Sequence, residues 1–202
     1  MLRKFVFGLF ALLAMVSVAE AQNRAFPSTF AFGPNSGWVI VYEHGSNWGY
    51  RGERLPQEFS QMVEKMAANQ YILGVDLNST GWAVIGSRTM EVRNAPHAFV
   101  EAIRKQRENG YQILDVAFSD EGWVILTRKE GSHGWQVGGD VPKGLTDVMR
   151  RTSEEGGVVL GVGMGLDGGY AVTIRRPGER PTYAMYHCPI DAIRYTDDID
   201  EM

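Results

Sequence analysis

The sequence predicts an α+β fold of four tandem units of about 45 residues. Each unit is strand, strand, strand, helix, and the four form a pinwheel-like or stacked array of antiparallel sheets with helices covering one face. Three observations predict it. A glycine-aromatic dipeptide recurs at Gly37-Trp38, Gly81-Trp82, Gly122-Trp123 and Gly169-Tyr170, at spacings of 44, 41 and 47 residues. A proline at Pro56, Pro96 and Pro142 precedes the next aromatic marker by 26, 27 and 28 residues, and Pro189 continues the series. The stretch Glu108 to Leu126 shows the template most plainly: helix end, apolar strand, tight turn, Gly-Trp, apolar strand.

The first 21 residues are expected to be a secretory signal peptide. Arg3 and Lys4 form the positive start, Phe5 to Val18 is an apolar run of 14 residues, and Ala19-Glu20-Ala21 is a small-x-small cleavage site. Cleavage after Ala21 leaves one domain, 22–202, exported to the periplasm or outside the cell. No further segment is apolar enough to span a bilayer, so the mature chain is expected to lack a transmembrane segment. The single cysteine, Cys188, has no partner for an internal disulfide, so packing alone must hold the domain. With 20 basic against 24 acidic residues and no basic stripe, nucleic-acid binding has no electrostatic support.

The units are expected over about 29–68, 71–108, 111–155 and 158–202. In the first, Gln22 to Ser28 reads as a lead-in and Thr29 to Phe32 as a short strand. Gly33 to Gly37 is turn chemistry, and Trp38 to Tyr42 is a strand apolar on both faces. Trp48 to Leu55 is a more polar third strand with Trp48 and Tyr50 on one face. Pro56 opens a helix in which Phe59, Met62, Val63 and Met66 form one stripe. The second unit repeats this with Tyr71 to Leu77, Trp82 to Ile85, Thr89 to Val92, and a helix turning Phe99, Val100 and Ile103 inward. The third has Tyr111 to Phe118, Trp123 to Thr127, Trp135 to Val141, and Leu145, Val148 and Met149 on its helix. The fourth has Val158 to Met164, Gly169 to Ile174 and Thr182 to His187. Pro189 starts a last helical turn or two, frayed by Asp197, Asp198, Asp200 and Glu201. A flatter α+β sandwich is the alternative, and ring closure is left open.

The residues Asn109-Gly110-Tyr111-Gln112-Ile113, Gly122-Trp123-Val124-Ile125-Leu126 and Pro96 with its helix carry a resemblance. They resemble the poorly characterised aromatic and glycine repeat domain that follows the catalytic domain of plant casein-kinase-like kinases and also occurs in stand-alone proteins. The resemblance covers most of 29–190. It implies a non-catalytic interaction module and carries over no catalytic residue.

Candidate chemistry is sparse. Cys188 beside His187 is similar to the late cysteine of guanidine-modifying enzymes of the pentein fold. Its register is also that of Leu55, Ala95 and Val141, which reads as a small buried residue. His44, His97, His133 and His187 fall at different phases and match no zinc spacing, so no metal or other cofactor is expected. Asp120, Glu121, Asp167 and Asn78 sit in hairpin turns, where turn chemistry outweighs calcium binding. The run from Gly161 to Gly169 lacks a phosphate-loop lysine and suits close packing. The marker aromatics are expected to anchor the core, which leaves Trp48, Tyr50 and Trp135 as candidate binding residues. The expected function is an exported, non-enzymatic, macromolecule-binding repeat protein whose partner is a protein or a glycan. The alternatives are a Cys188-dependent enzyme and a carbohydrate-binding module using Trp48 and Trp135.

Overall fold

The computed structural model describes residues 25–44, 47–165 and 167–201. The expected signal peptide over 1–21 and the turn at Gly45-Ser46 lie outside them. So do the side chains of His44 and of the acidic C-terminal residues.

The chain forms four sheets of three antiparallel strands, each followed by a helix. Unit one is β1 (Phe26–Phe32), β2 (Trp38–His44), β3 (Asn47–Glu53) and α1 (Gln57–Ala67). Unit two is β4 (Ile72–Leu77), β5 (Trp82–Gly86), β6 (Met90–Arg93) and α2 (His97–Glu108). Unit three is β7 (Gln112–Phe118), β8 (Gly122–Lys129), β9 (Ser132–Gly139) and α3 (Lys143–Glu154). Unit four is β10 (Val158–Met164), β11 (Tyr170–Arg175), β12 (Thr182–Tyr186) and α4 (Ile190–Glu201). In every blade the second strand is central and the third is the outer edge.

The ring is closed. β1 packs against both β4 and β10, and β7 also packs against both, so the four first strands surround one axis. Each helix lies on the next blade: α1 on β4 and β5, α2 on β7 and β8, α3 on β10 and β11, and α4 back on β1 and β2. The last segment is therefore not a ragged turn or two. It is a twelve-residue helix that seals blade four to blade one, with Ala192 buried beside Phe30, Trp38 and Ile40. Its thin apolar stripe suffices because Tyr195 and Cys188 also pack there. β1 likewise begins three residues earlier than expected, because Phe26 and Pro27 pair with Glu43 and Tyr42.

The interior is four equivalent cores, each between consecutive blades and around one helix. Between blades one and two, Val39 and Val41 meet Phe59, Val63 and Met66 of α1 and Val75 and Leu77 of the next blade. Trp38 and Ile40, on the opposite face of β2, enter the core shared with α4. Each central strand is thus buried on both faces, which accounts for its continuous apolar run. Fully burying a side chain such as Phe59 contributes about 1.5–3 kcal/mol. The prolines stand as the residue just before each of α1, α2 and α3, one position earlier than the first helical residue.

Two devices repeat in all four units. First, each first strand carries a register shift at the same place, between Pro27 and Thr29, Ile72 and Gly74, Ile113 and Asp115, and Val159 and Gly161. A bulge there bends the inner strand around the axis. Second, a residue with positive φ follows the cross-strand partner of each marker aromatic: Arg54, Asn94, Gly139 and His187. The chain turning there lays a carbonyl over the marker glycine. A Cβ on Gly37 would lie 2.5 Å from the Arg54 oxygen, and one on Gly169 2.5 Å from the His187 oxygen. Gly81 faces Asn94 and Gly122 faces Asp140 in the same way. The glycine of each Gly-aromatic pair is therefore a steric requirement of the strand-to-helix corner.

Among the described residues, no helix is long and apolar enough to cross a membrane.

Gly161 sets the tightest seam of the ring, since a Cβ there would collide with the backbone carbonyl of Ser28. Gly161→Ala is expected to cost about 3 kcal/mol in urea unfolding, at the upper end for overpacking. Gly134→Ala, whose Cβ would meet only Thr127 Oγ1 at 3.5 Å, should stay within about 0.5 kcal/mol. Equal effects would refute the close-approach account of the seam.

Candidate functional site

The sequence-predicted binding residues fall in two separate places. Trp48 and Tyr50 alternate along β3, with ring centroids 6.5 Å apart. Trp48 also packs on Tyr71, just before β4, at 5.1 Å and an interplanar angle of 39°. Trp48 and Tyr50 are half-buried against the core between blades one and two, and Tyr71 is 38% exposed. The three rings make an aromatic ledge that joins the outer strand of blade one to the start of blade two. Burial pushes the Glu43 carboxyl up against the opposing pull of Arg175, and burial, with Glu43 adding to it, raises the Tyr71 hydroxyl. Trp135 is elsewhere: it lies on β9, packs against the core around α3, and donates its indole N–H to Ser153 Oγ at 3.1 Å. The fold does not join it to Trp48.

Cys188 occupies the slot before the last helix, packed on the core of the closing seam. Leu55, Ala95 and Val141 pack on the other three cores at the same phase. Its thiol donates to the carbonyls of Tyr170 and Tyr186 at 3.2 and 3.5 Å. Burial pushes the thiol up to about 12, so at neutral pH it stays protonated. The His187 ring stacks on Tyr186 at 4.1 Å and is exposed. His97 and His133 are exposed as well.

The acidic turns are linked to one another. Asn78 Oδ1 accepts from the backbone N–H of Thr80 and Gly81, and Ser119 Oγ does the same for Glu121 and Gly122 one blade on. Asp120 accepts from Asn78 Nδ2 at 2.7 Å and from Ser79 Oγ at 3.3 Å, tying the two turns together. Among the described residues, no group of three or more His, Cys, Asp or Glu is placed to hold a metal ion.

Sequence reasoning passed over the two most perturbed groups, Asp76 and Asp115. Both are fully buried on the axis. Asp115 Oδ1 accepts from Thr29 Oγ1 at 2.6 Å and from its neighbour Val116 N–H at 2.8 Å, and Oδ2 accepts from Val162 N–H at 2.8 Å. Asp76 Oδ2 accepts from Phe118 N–H, while its Oδ1 has no partner among the described residues. Burial raises both carboxyls well above the usual range. Hydrogen bonds pull both back, from Thr29, Val162 and Val116 on Asp115 and from Phe118 and Leu77 on Asp76, and the neighbouring Asp115 pushes Asp76 up. The signal was present in the sequence as a lone acid inside each of two apolar strands.

No protein-family model and no curated protein matches this chain. Among solved structures it is similar to the C-terminal domain of gp131 from bacteriophage phiKZ, at 12% identity and a TM-score of 0.35. That match covers 80% of this chain and 52% of the other.

A carboxyl raised in the folded state holds a proton that the unfolded chain has released. Its contribution is therefore full below the unfolded value, about 3.9, and is lost as pH rises toward the folded value. The urea midpoint should fall as pH rises from 4, and Asp76→Asn should flatten that fall. An unchanged slope in the variant would rule out Asp76 as its source. For Cys188, labelling by an aromatic disulfide at pH 8 should be at least about a hundredfold slower in the native protein than in urea, because only the thiolate attacks. Fast native labelling would contradict the buried-thiol geometry.

Proposed function

We propose that the mature chain is an exported, non-enzymatic module that binds another macromolecule through the aromatic ledge of Trp48, Tyr50 and Tyr71. The observation that carries this reading is the ledge itself: three contiguous aromatic rings, Trp48 and Tyr50 on the outer strand of blade one and Tyr71 just before β4 of blade two, the first two half-buried against the core. Aromatic side chains anchored in this way lose little freedom on binding and dominate protein interfaces. Export rests on the N-terminal sequence, with its basic start, apolar run and small-x-small site. The resemblance to the kinase-associated repeat domain points to the same class of function.

A protein partner fits the ledge better than a glycan. Trp48 and Tyr71 are inclined at 39°, so they do not form one flat platform for a sugar ring. A carbohydrate module using both Trp48 and Trp135 would need two independent sites. The Cys188 enzyme is disfavoured by the thiol's burial and its hydrogen bonds to two carbonyls.

The test is retention from envelope extract of the host on immobilised protein spanning 22–202. A stoichiometric protein partner is expected. Trp48→Ala should weaken its binding by tenfold or more, since anchoring aromatics contribute roughly 2 kcal/mol or above. Trp135→Ala should leave it unchanged. Absence of a partner, or equal retention by Trp48→Ala, would sink the reading.

A further inference from the structure

The ledge of Trp48, Tyr50 and Tyr71 is edged by carboxylates. Glu43 stands directly opposite Trp48 in the register of β2 with β3, so the two side chains rise from the same face of the sheet. Glu64 of α1 acts on Tyr50, adding to burial in raising its hydroxyl. Tyr71 is raised by burial and then by Glu43. The charge that reaches both tyrosines of the ledge is therefore negative.

Glu43 is the unsatisfied member. It is half-buried, and among the described residues its carboxylate makes no hydrogen bond and no ion pair. Other acids of the same unit differ: Glu53 is paired by Arg51 at 3.3 Å, and Glu58 is paired by Arg93. A carboxylate partly withdrawn from water loses hydration that only donors or a cation return. The rings are open in the same sense. Arg51 covers the Tyr195 ring and Lys129 covers the Tyr111 ring, each at 5.0 Å. Among the described residues, no guanidinium or ammonium covers Trp48 or Tyr50. Aromatic faces attract cations, tryptophan most strongly.

We infer that the partner of the ledge presents a cationic side chain, an arginine or a lysine, that seats against Trp48 and pairs with Glu43. This rests on the ledge being the binding surface proposed above, and it adds the chemistry of what is bound: a basic segment of a protein. A neutral apolar anchor would cover the rings and leave Glu43 buried without compensation. An acidic one would add repulsion. A cation satisfies the carboxylate and the ring together, and charge-assisted bonds are the stronger kind. The net charge of −4 favours the encounter with a basic partner.

The test uses the protein spanning 22–202, labelled with nitrogen-15, and follows its indole N–H resonances. The Trp48 signal is identified by its loss in Trp48→Phe. Four end-blocked tripeptides, Gly-Arg-Gly, Gly-Lys-Gly, Gly-Glu-Gly and Gly-Leu-Gly, are titrated separately at constant ionic strength. Saturable movement of the Trp48 signal is expected with a basic peptide and with neither of the other two. The tighter of the basic pair names the side chain. Glu43→Gln, which keeps the shape and removes the charge, should raise the apparent Kd about tenfold, as expected for loss of a hydrogen bond to a charged group. Glu130→Gln, in the exposed turn between β8 and β9, should leave it unchanged. No movement with either basic peptide, equal movement with the glutamate or leucine peptide, or an unchanged Kd in Glu43→Gln overturns the inference. Failure of the ledge itself reads out separately, as full retention of the envelope partner by Trp48→Ala. A partner lost by Trp48→Ala and fully kept by Glu43→Gln leaves the ledge standing and overturns its cationic occupant.

Discussion

A single carboxyl, Asp115, touches all four blades. It belongs to blade three, accepts the Thr29 hydroxyl of blade one and the Val162 amide of blade four, and lies against Gly74 of blade two, where a Cβ would stand 2.6 Å from Oδ1. Such reach demands a very narrow axis. Thr29, Gly74, Asp115 and Gly161 share one level of it, and Ala31, Asp76, Ala117 and Gly163 share another. Glycines on blade four let its backbone press directly on Ser28 and Phe30 of blade one. No central channel can form where strands meet at this distance. The polar groups held there are sealed from water and must satisfy one another.

That constraint moves any binding chemistry outward. The axis is filled, and the corner between third strand and helix is fixed in each blade by a glycine and a left-handed residue at the same place. Variation is left to the outer strands and to the seams between blades. Blade one carries an aromatic ledge on its outer strand, and blade three uses its outer tryptophan to brace α3. The seam between blades four and one, closed by α4, differs from the others in its lining. There the core is aromatic, and charged groups from both ends of the domain converge.

Much of this was legible in the chain. The Gly-aromatic spacing marked the turns, the prolines marked the helix starts, and the 3.6-residue stripe on α1 named Phe59, Val63 and Met66, all of which are buried. The Cys188 slot was legible for the same reason, because its neighbours in phase are apolar. Less legible were features that depend on two distant segments. Phe26 and Pro27 look like a lead-in until Glu43 and Tyr42 pair with them. The last helix looks too thinly apolar to matter until Tyr195 meets Trp38. Trp48 and Trp135 both fall on a polar third strand, yet one packs on Tyr71 and the other donates to Ser153.

The sequence by itself determined the repeat, the order of strands and helix in each unit, and the faces that must be buried, because these follow from local periodicity and turn chemistry. Tertiary structure decided that four units close rather than stack, since closure depends on how far each bulge bends the inner strand and on glycines meeting backbone from another blade. It also decided the fate of the polar groups. An aspartate inside an apolar strand is only an anomaly in one dimension. Asp115 becomes the common partner of four blades, and Asp76 a buried acid with one oxygen left over, only when residues up to 86 positions apart are brought within hydrogen-bonding distance.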